Sequence, residues 1–291
     1  MLALLGDVGR VQNIIVPAWD EASQWVQQVT EKIGPWRARI RSAYIQWAMA
    51  VNGLHTAHAH LALQDTAFVV HALRPGPGGL QPAIVASYPS PEAAVHHLAA
   101  QTKLAAWGIA DLYSAFEAFV FEVYADYLRS NPDKLLAGDL YKDLRRLRRK
   151  AAEDPALETE WRTQLQGRID AWASRRSWNA LGSTLKQFFA DAALKPPSYF
   201  KTGPESWAET LGLFALLRHA LVHGDEVVGP QLAAASEVPH NAGIRFEAGK
   251  QLAVGFFHLQ AMELYAEQLL TAINLSLVEL ARREYVADRG K

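Results

Sequence analysis

Apolar residues fall at helical spacing over most of this chain, with one clear change of period near its first quarter. Helices are expected near residues 19–33 and 36–62, with Asp20 and Glu21 at the positive end of the first and Pro35 placed to begin the second. Residues 68–73 and 83–88 are short runs of β-branched and aromatic side chains, parted by Arg74-Pro75-Gly76-Pro77-Gly78-Gly79, and predict a hairpin. Ser90-Pro91-Glu92 then offers an N-cap, a first-turn proline and an early acid for a helical segment running toward Gln101. Between residues 104 and 128, Leu112, Phe116, Phe119, Val120, Val123, Tyr124 and Tyr127 recur at three and four, the core stripe of a long helix. Glu117, about 100° round from Phe116, lies at the edge of that stripe, facing either a cleft or water.

Pro196-Pro197 and Gly203-Pro204 break the chain before a helix with Leu211, Phe214, Leu217 and Leu221 on its apolar side. Gly229-Pro230 and Pro239 mark a loop, residues 243–254 read as a short second hairpin, and residues 256–280 as a last apolar helix. The fold class is mainly α. A boundary near residue 90 separates an N-terminal helical region with a hairpin, residues 1–90, from a helical domain over residues 91–291.

Half the residues are apolar, enough for a substantial core in 291 residues. The apolar runs fall short of a bilayer span, and residues 1–5 lack the length and basic flank of a secretory leader, so a cytoplasmic protein away from membranes is expected. The absence of cysteine removes disulfides, thiolate metal sites and cysteine nucleophiles, leaving His, Asp, Glu, Ser, Lys and Arg for chemistry. A net charge of −1 gives no overall pull on nucleic acid. Residues 142–201 differ, with thirteen Lys and Arg against seven Asp and Glu, concentrated in Arg145, Arg146, Arg148, Arg149 and Lys150. That run either tracks a phosphate backbone, with Trp161, Trp172 and Trp178 stacking bases, or is a solvated face beside core tryptophans.

The string Leu217-Arg218-His219-Ala220-Leu221-Val222-His223-Gly224-Asp225 sets a permanent cation and an imidazole one and a half turns apart on an apolar helix. Residues five apart point about 140° from each other, so a shared site requires the Arg stem to wrap round or the helix to stop at His223, where Gly224 favours a stop. Guanidinium and imidazole are what metal-free RNA cleavage needs: a base for the 2′-hydroxyl, an acid for the leaving 5′-oxygen, and a clamp for the phosphate. Asp225 and Glu226, just past the motif, either orient His223 or are loop carboxylates. The plainer alternative is an Arg paired with a neighbouring carboxylate and a His satisfying a helix end. His219 and His223, at i and i+4, also have a zinc-binding spacing, yet Ala220 stands where a metalloprotease has Glu and no third ligand is evident, so no metal or other cofactor is expected. His55, His58, His60, His96 and His97 sit among Ala and Leu and read as partly exposed helix residues.

Arg218-His219-x3-His223-Gly224 resembles the Arg, four to six residues, His signature of the HEPN domain superfamily. The segment Leu112-Tyr113-Ser114-Ala115-Phe116-Glu117-Ala118-Phe119-Val120 is similar to the aromatic first helix with Phe-Glu of several HEPN subfamilies. The resemblance frames residues 104–280. It implies an up-and-down bundle of four or five helices, a homodimer bringing two motifs to one cleft, and a ribonuclease of toxin-antitoxin, phage-defence or RNA-processing systems, with room for an antitoxin or nucleotidyltransferase partner. On it, Arg218 and His223 are the catalytic pair, with His219 as polar assistant. A non-catalytic helical interaction module is the alternative.

Overall fold

A computed structural model describes residues 13–176 and 181–289 of the chain. It is mainly α, in the order α1 (Gln24–Leu61), β1 (Ala67–Gly76), β2 (Gly79–Pro89), α2 (Ser90–Ser130), α3 (Lys142–Glu153), α4 (Glu158–Arg176), α5 (Leu181–Asp191), α6 (Pro204–His223), α7 (Pro230–Ala235) and α8 (Phe256–Arg289). The start at residues 1–5 and Trp178 lie outside the described residues.

The two N-terminal helices expected from Pro35 are one. Pro35 lies inside α1, which continues through it although proline forfeits a backbone hydrogen bond there. Packing holds both halves to α2: Ile33 and Ile40 are buried on either side, Trp36 meets the ring of Phe119 edge-on at 6.2 Å, and its Nε1 donates to Glu122 at 2.8 Å. The helices run antiparallel, as Lys32 to Asp126 (2.6 Å) at one end and His58 Nδ1 to the Ala94 carbonyl oxygen (2.9 Å) at the other make plain.

Between them stands the expected hairpin. β1 and β2 pair antiparallel from Ala67–Pro89 to Gly76–Gly79, with an irregularity between Val70 and His71. Gly78 and Gly79 have φ of 95° and 122°, which the tight turn requires. Ser90 is not a cap. It is the first residue of α2, and its backbone N–H (2.9 Å) and hydroxyl (2.7 Å) both donate to the Thr66 carbonyl, fastening the foot of the hairpin. From there α2 runs unbroken to Ser130, well past Gln101. Among the described residues it alone is long and apolar enough to cross a membrane by length and composition, and in the bundle its apolar stripe faces the core.

α1, α2, α5, α6 and α8 share a single hydrophobic core, so residues before the expected boundary at 90 pack into the same interior as those after it. Phe116, Phe119 and Phe214 are fully buried there, each contributing about 1.5–3 kcal/mol. α8 lies against α1 through Arg37 to Glu267 (2.7 Å) and Arg41 to Glu263 (2.6 Å), and the Asn274 amide closes on the backbone of Ile14, accepting at 3.0 Å and donating at 2.8 Å. α4 crosses the far end of α2, where Trp172 meets Tyr124 edge-on at 4.7 Å.

The second hairpin does not form: β1 and β2 are the only paired strands among the described residues. Residues 243–254 form a loop tied down by a lone bridge, Val227 to Gln251, and by the buried Asn241, whose amide donates to the carbonyls of Ser236 (2.5 Å) and Ile244 (2.7 Å). The backbone of residues 249–252 bonds to residues 226–228, through Val228 N–H to the Lys250 carbonyl (2.8 Å), Gly249 N–H to the Val228 carbonyl (2.9 Å) and Leu252 N–H to the Glu226 carbonyl (2.8 Å), and so does not pair with the first half of the segment.

Candidate functional site

α6 ends where the motif ends. Gly224 takes φ 74°, the Asp225 N–H donates to the Ala220 carbonyl at 2.9 Å and the Gly224 N–H to that of Leu221 at 3.3 Å, the paired bonds of a Schellman motif. His223 is thus the last helical residue, exposed at the tip, and His219 one turn back is exposed beside it with ring centroids 4.2 Å apart.

Arg218 turns the other way, toward α2. Its guanidinium carbon lies 5.7 Å from the ring centroid of Tyr113, which is 2 % exposed. Its Nε is sealed from solvent with no hydrogen-bond partner, an unmet donor of the kind that proteins rarely leave. Glu117, one turn along α2 from Tyr113, is half-buried beside it; burial pushes its carboxyl above the usual range, and the charge of Arg218 offsets only part of that. Burial also pushes the Tyr113 phenol up, with Glu117 adding and Arg218 opposing. No ion pair within 4.0 Å joins Arg218 to Glu117 or to any other described carboxylate, so the plainer alternative of a paired arginine is not what the site contains.

The structure therefore brings Arg218 together with Glu117 and Tyr113, and His219 with His223, at one helix end. Asp225 is exposed and makes no hydrogen bond to His223, so its expected orienting role has no contact behind it. Tyr113 went unassigned in the sequence; its four-residue spacing from Glu117 was the available signal.

The basic run divides. Arg145 donates to the carbonyls of Leu136 and Gly138, and Arg148 pairs with Asp133 at 2.5 Å, so both are spent holding α3 to the preceding turn. Arg146, Arg149 and Lys150 are exposed. Trp161 and Trp172 are 8 % exposed core residues, not stacking platforms. Among the described residues no three His, Asp or Glu side chains converge as a metal site. His58 bonds to the Ala94 carbonyl, joining α1 to α2, and His97 to the Ala93 carbonyl within α2, while His96 packs on Tyr88 at 4.8 Å and His97 on Phe68 at 5.1 Å, tying α2 to the hairpin.

Compared with known proteins, the chain matches no family model, no curated protein and no solved structure.

Proposed function

We propose that this chain is a metal-independent endoribonuclease of the HEPN type, cytoplasmic and homodimeric, with Arg218 and His223 as its catalytic pair. The observation that carries the reading is the Arg218 guanidinium, held over Tyr113 beside the Glu117 carboxyl with one donor unmet, while two imidazoles stand in solvent at the same helix end.

His223 removes the 2′-hydroxyl proton as that oxygen attacks phosphorus; the bond from phosphorus to the 5′-oxygen breaks, and the leaving oxygen recovers a proton from an imidazolium. Arg218 neutralises charge growing on the phosphate, in surroundings dry enough to strengthen the contact. The products are a 2′,3′-cyclic phosphate and a 5′-hydroxyl, and DNA, lacking the 2′-hydroxyl, is spared. His219 and Glu117 orient the pair. The exposed Arg146, Arg149 and Lys150 draw RNA in by charge. Two copies of the motif facing one cleft in a dimer, a place in toxin-antitoxin or phage-defence systems, and an antitoxin or nucleotidyltransferase partner belong to the same proposal.

One observation favours a second reading: Val222, 55 % exposed between the two exposed histidines, offers an apolar contact at the helix end, as a non-catalytic interaction module would. The two part on one experiment. Wild type and His223→Ala are incubated with structured and single-stranded RNA in EDTA, and the new ends are analysed. Cyclic-phosphate ends from wild type alone support the ribonuclease; equal cleavage by both removes His223 from the chemistry, and intact RNA throughout favours the interaction module.

A further inference from the structure

A second cationic feature lies on α4, away from the basic run. Arg168 sits over the ring of Tyr141, its guanidinium carbon 4.4 Å from the centroid, and its Nε and Nη1 are both sealed from solvent without a hydrogen-bond partner. No carboxylate among the described residues pairs with it within 4.0 Å; Asp143, at the groove's edge, forms no ion pair with it. Burial holds the Arg168 guanidinium below its usual range, with Tyr141 opposing and the charge of Arg175, two turns along α4, adding a smaller push in the same direction. Arg175 satisfies its Nε on the Ala171 carbonyl at 3.1 Å, which leaves the end of its fork open. Both arginines line a shallow groove of about 490 Å³ with Tyr141 and Leu140, the latter 91 % exposed.

Two arginines on one face of α4, with no carboxylate paired to Arg168, leave positive charge along the groove that an entering anion would neutralise. Arg168, held over Tyr141, and Arg175 further along the same groove suit a phosphate, whose oxygens take the guanidinium nitrogens left open to solvent, with the exposed Leu140 offering an apolar wall to the attached sugar or base.

The groove also shares a line with the motif. Gln166 accepts from Arg129 at 3.1 Å, while Trp172 meets Tyr124 at 4.7 Å and Phe121 at 5.8 Å, so α4 runs antiparallel to α2 and Arg175 lies toward the Glu117 end. Tyr113, Glu117 and Phe121 recur at four, on one side of α2. Arg218 and α4 thus meet the same stripe of α2, with Arg168 on the order of 20 Å from Tyr113 along the helix axis.

We propose that Arg168, over Tyr141, and Arg175 form a phosphate-binding subsite that grips the backbone of a single-stranded RNA whose scissile bond lies at Arg218. The RNA as occupant rests on the ribonuclease reading; the anion site itself rests on the groove.

The test separates these. Binding of a fluorescein-labelled twelve-nucleotide single-stranded RNA to full-length His223→Ala protein is followed by anisotropy over a salt series, alone and with Arg168→Gln and Arg175→Gln added singly and together. Pyrophosphate is titrated into wild type and the double variant by calorimetry. The proposal expects affinity for RNA to fall at least about tenfold in the double variant, with the slope against salt reduced by about 1.4 for two lost contacts. Exposed Arg175 alone should give about half that slope change, which guards against a folding defect at Arg168. RNA bound equally by all variants overturns the subsite and leaves the ribonuclease reading standing. RNA unbound by the parent, with pyrophosphate bound by wild type and lost in the double variant, keeps the anion site for a small phosphate compound and overturns its RNA occupant. Neither probe bound overturns the site.

Discussion

The guanidinium of Arg218 rests over the ring of Tyr113, 5.7 Å from its centroid, so the side chain of α6 is steered by an aromatic of α2 instead of by a carboxylate. A ring under a desolvated cation contributes on the order of 1–2 kcal/mol. In a ribonuclease, Tyr113→Phe keeps that ring and should leave cleavage within about twofold, whereas Tyr113→Leu removes it and should cost about tenfold or more. Single-turnover cleavage with matched circular dichroism spectra checks the pair; equal rates for Leu and Phe would show that the ring does not position Arg218.

Glu117 should trade stability for function. Burial raises its carboxyl above the ordinary 4.5, with Arg218 offsetting part. The native state therefore holds the proton more tightly than the unfolded chain does. Stability declines as pH rises from 4.5 through the folded value. Glu117→Gln should melt about 1–3 °C higher at pH 7, with the gap closing below pH 4; in a ribonuclease it should also slow cleavage. A lower melting point at pH 7 would mean that the carboxylate is paired in solution.

His258 gives the opposite slope. Its Nδ1 accepts from the Gly255 N–H at 3.2 Å, its ring stacks on Phe246 at 5.5 Å, and burial holds its pKa below the usual 6.5. The stabilising neutral form is fully present above 6.5 and is lost as pH falls through the folded value. Between pH 7.5 and 5.5 wild type should lose more stability to urea than His258→Asn, which keeps an acceptor without titrating. Parallel losses would place the pH dependence elsewhere.

At the crossing of α5 and α6, Gly182 has no room for a side chain: a Cβ there would lie 2.6 Å from the carbonyl oxygen and 2.8 Å from the Cα of Ala208. Gly182→Ala should push the helices apart at a cost of about 1–3 kcal/mol, seen as a lower urea midpoint. An unchanged midpoint would mean that the crossing is looser than described.

What the sequence conveyed depended on whether a signal was local. The hairpin was legible because its turn needs glycine at positive φ, and the end of α6 because Gly224 has the same requirement. Pro35 misled because its local preference to begin a helix is outweighed by Ile33, Trp36 and Ile40 seated on α2, and only the folded chain supplies that partner. Residues 243–254 misled because the segment's second half bonds to residues 226–228 instead of folding back on its first half, a distant partner that only the folded chain supplies. At the site, the motif could be read from spacing, but Tyr113 is a core aromatic until Arg218 is seen above it. The basic run showed charge without showing use: Arg145 and Arg148 serve the loop before α3, while Arg168, 27 positions from the Tyr141 beneath it, stood out in no local pattern.

The Asn274 amide reaches Ile14 across 260 positions, so the first described residues are sealed by the last helix. On a ribosome, α1 and α2 emerge and zip together through the hairpin, yet the side of α1 that carries Arg37 and Arg41 waits for α8. At ordinary rates of synthesis the 125 residues between α2 and α8 take roughly 6–25 s. For that interval the nascent chain exposes a half-built interior, and any message that stops short of α8 leaves it open for good.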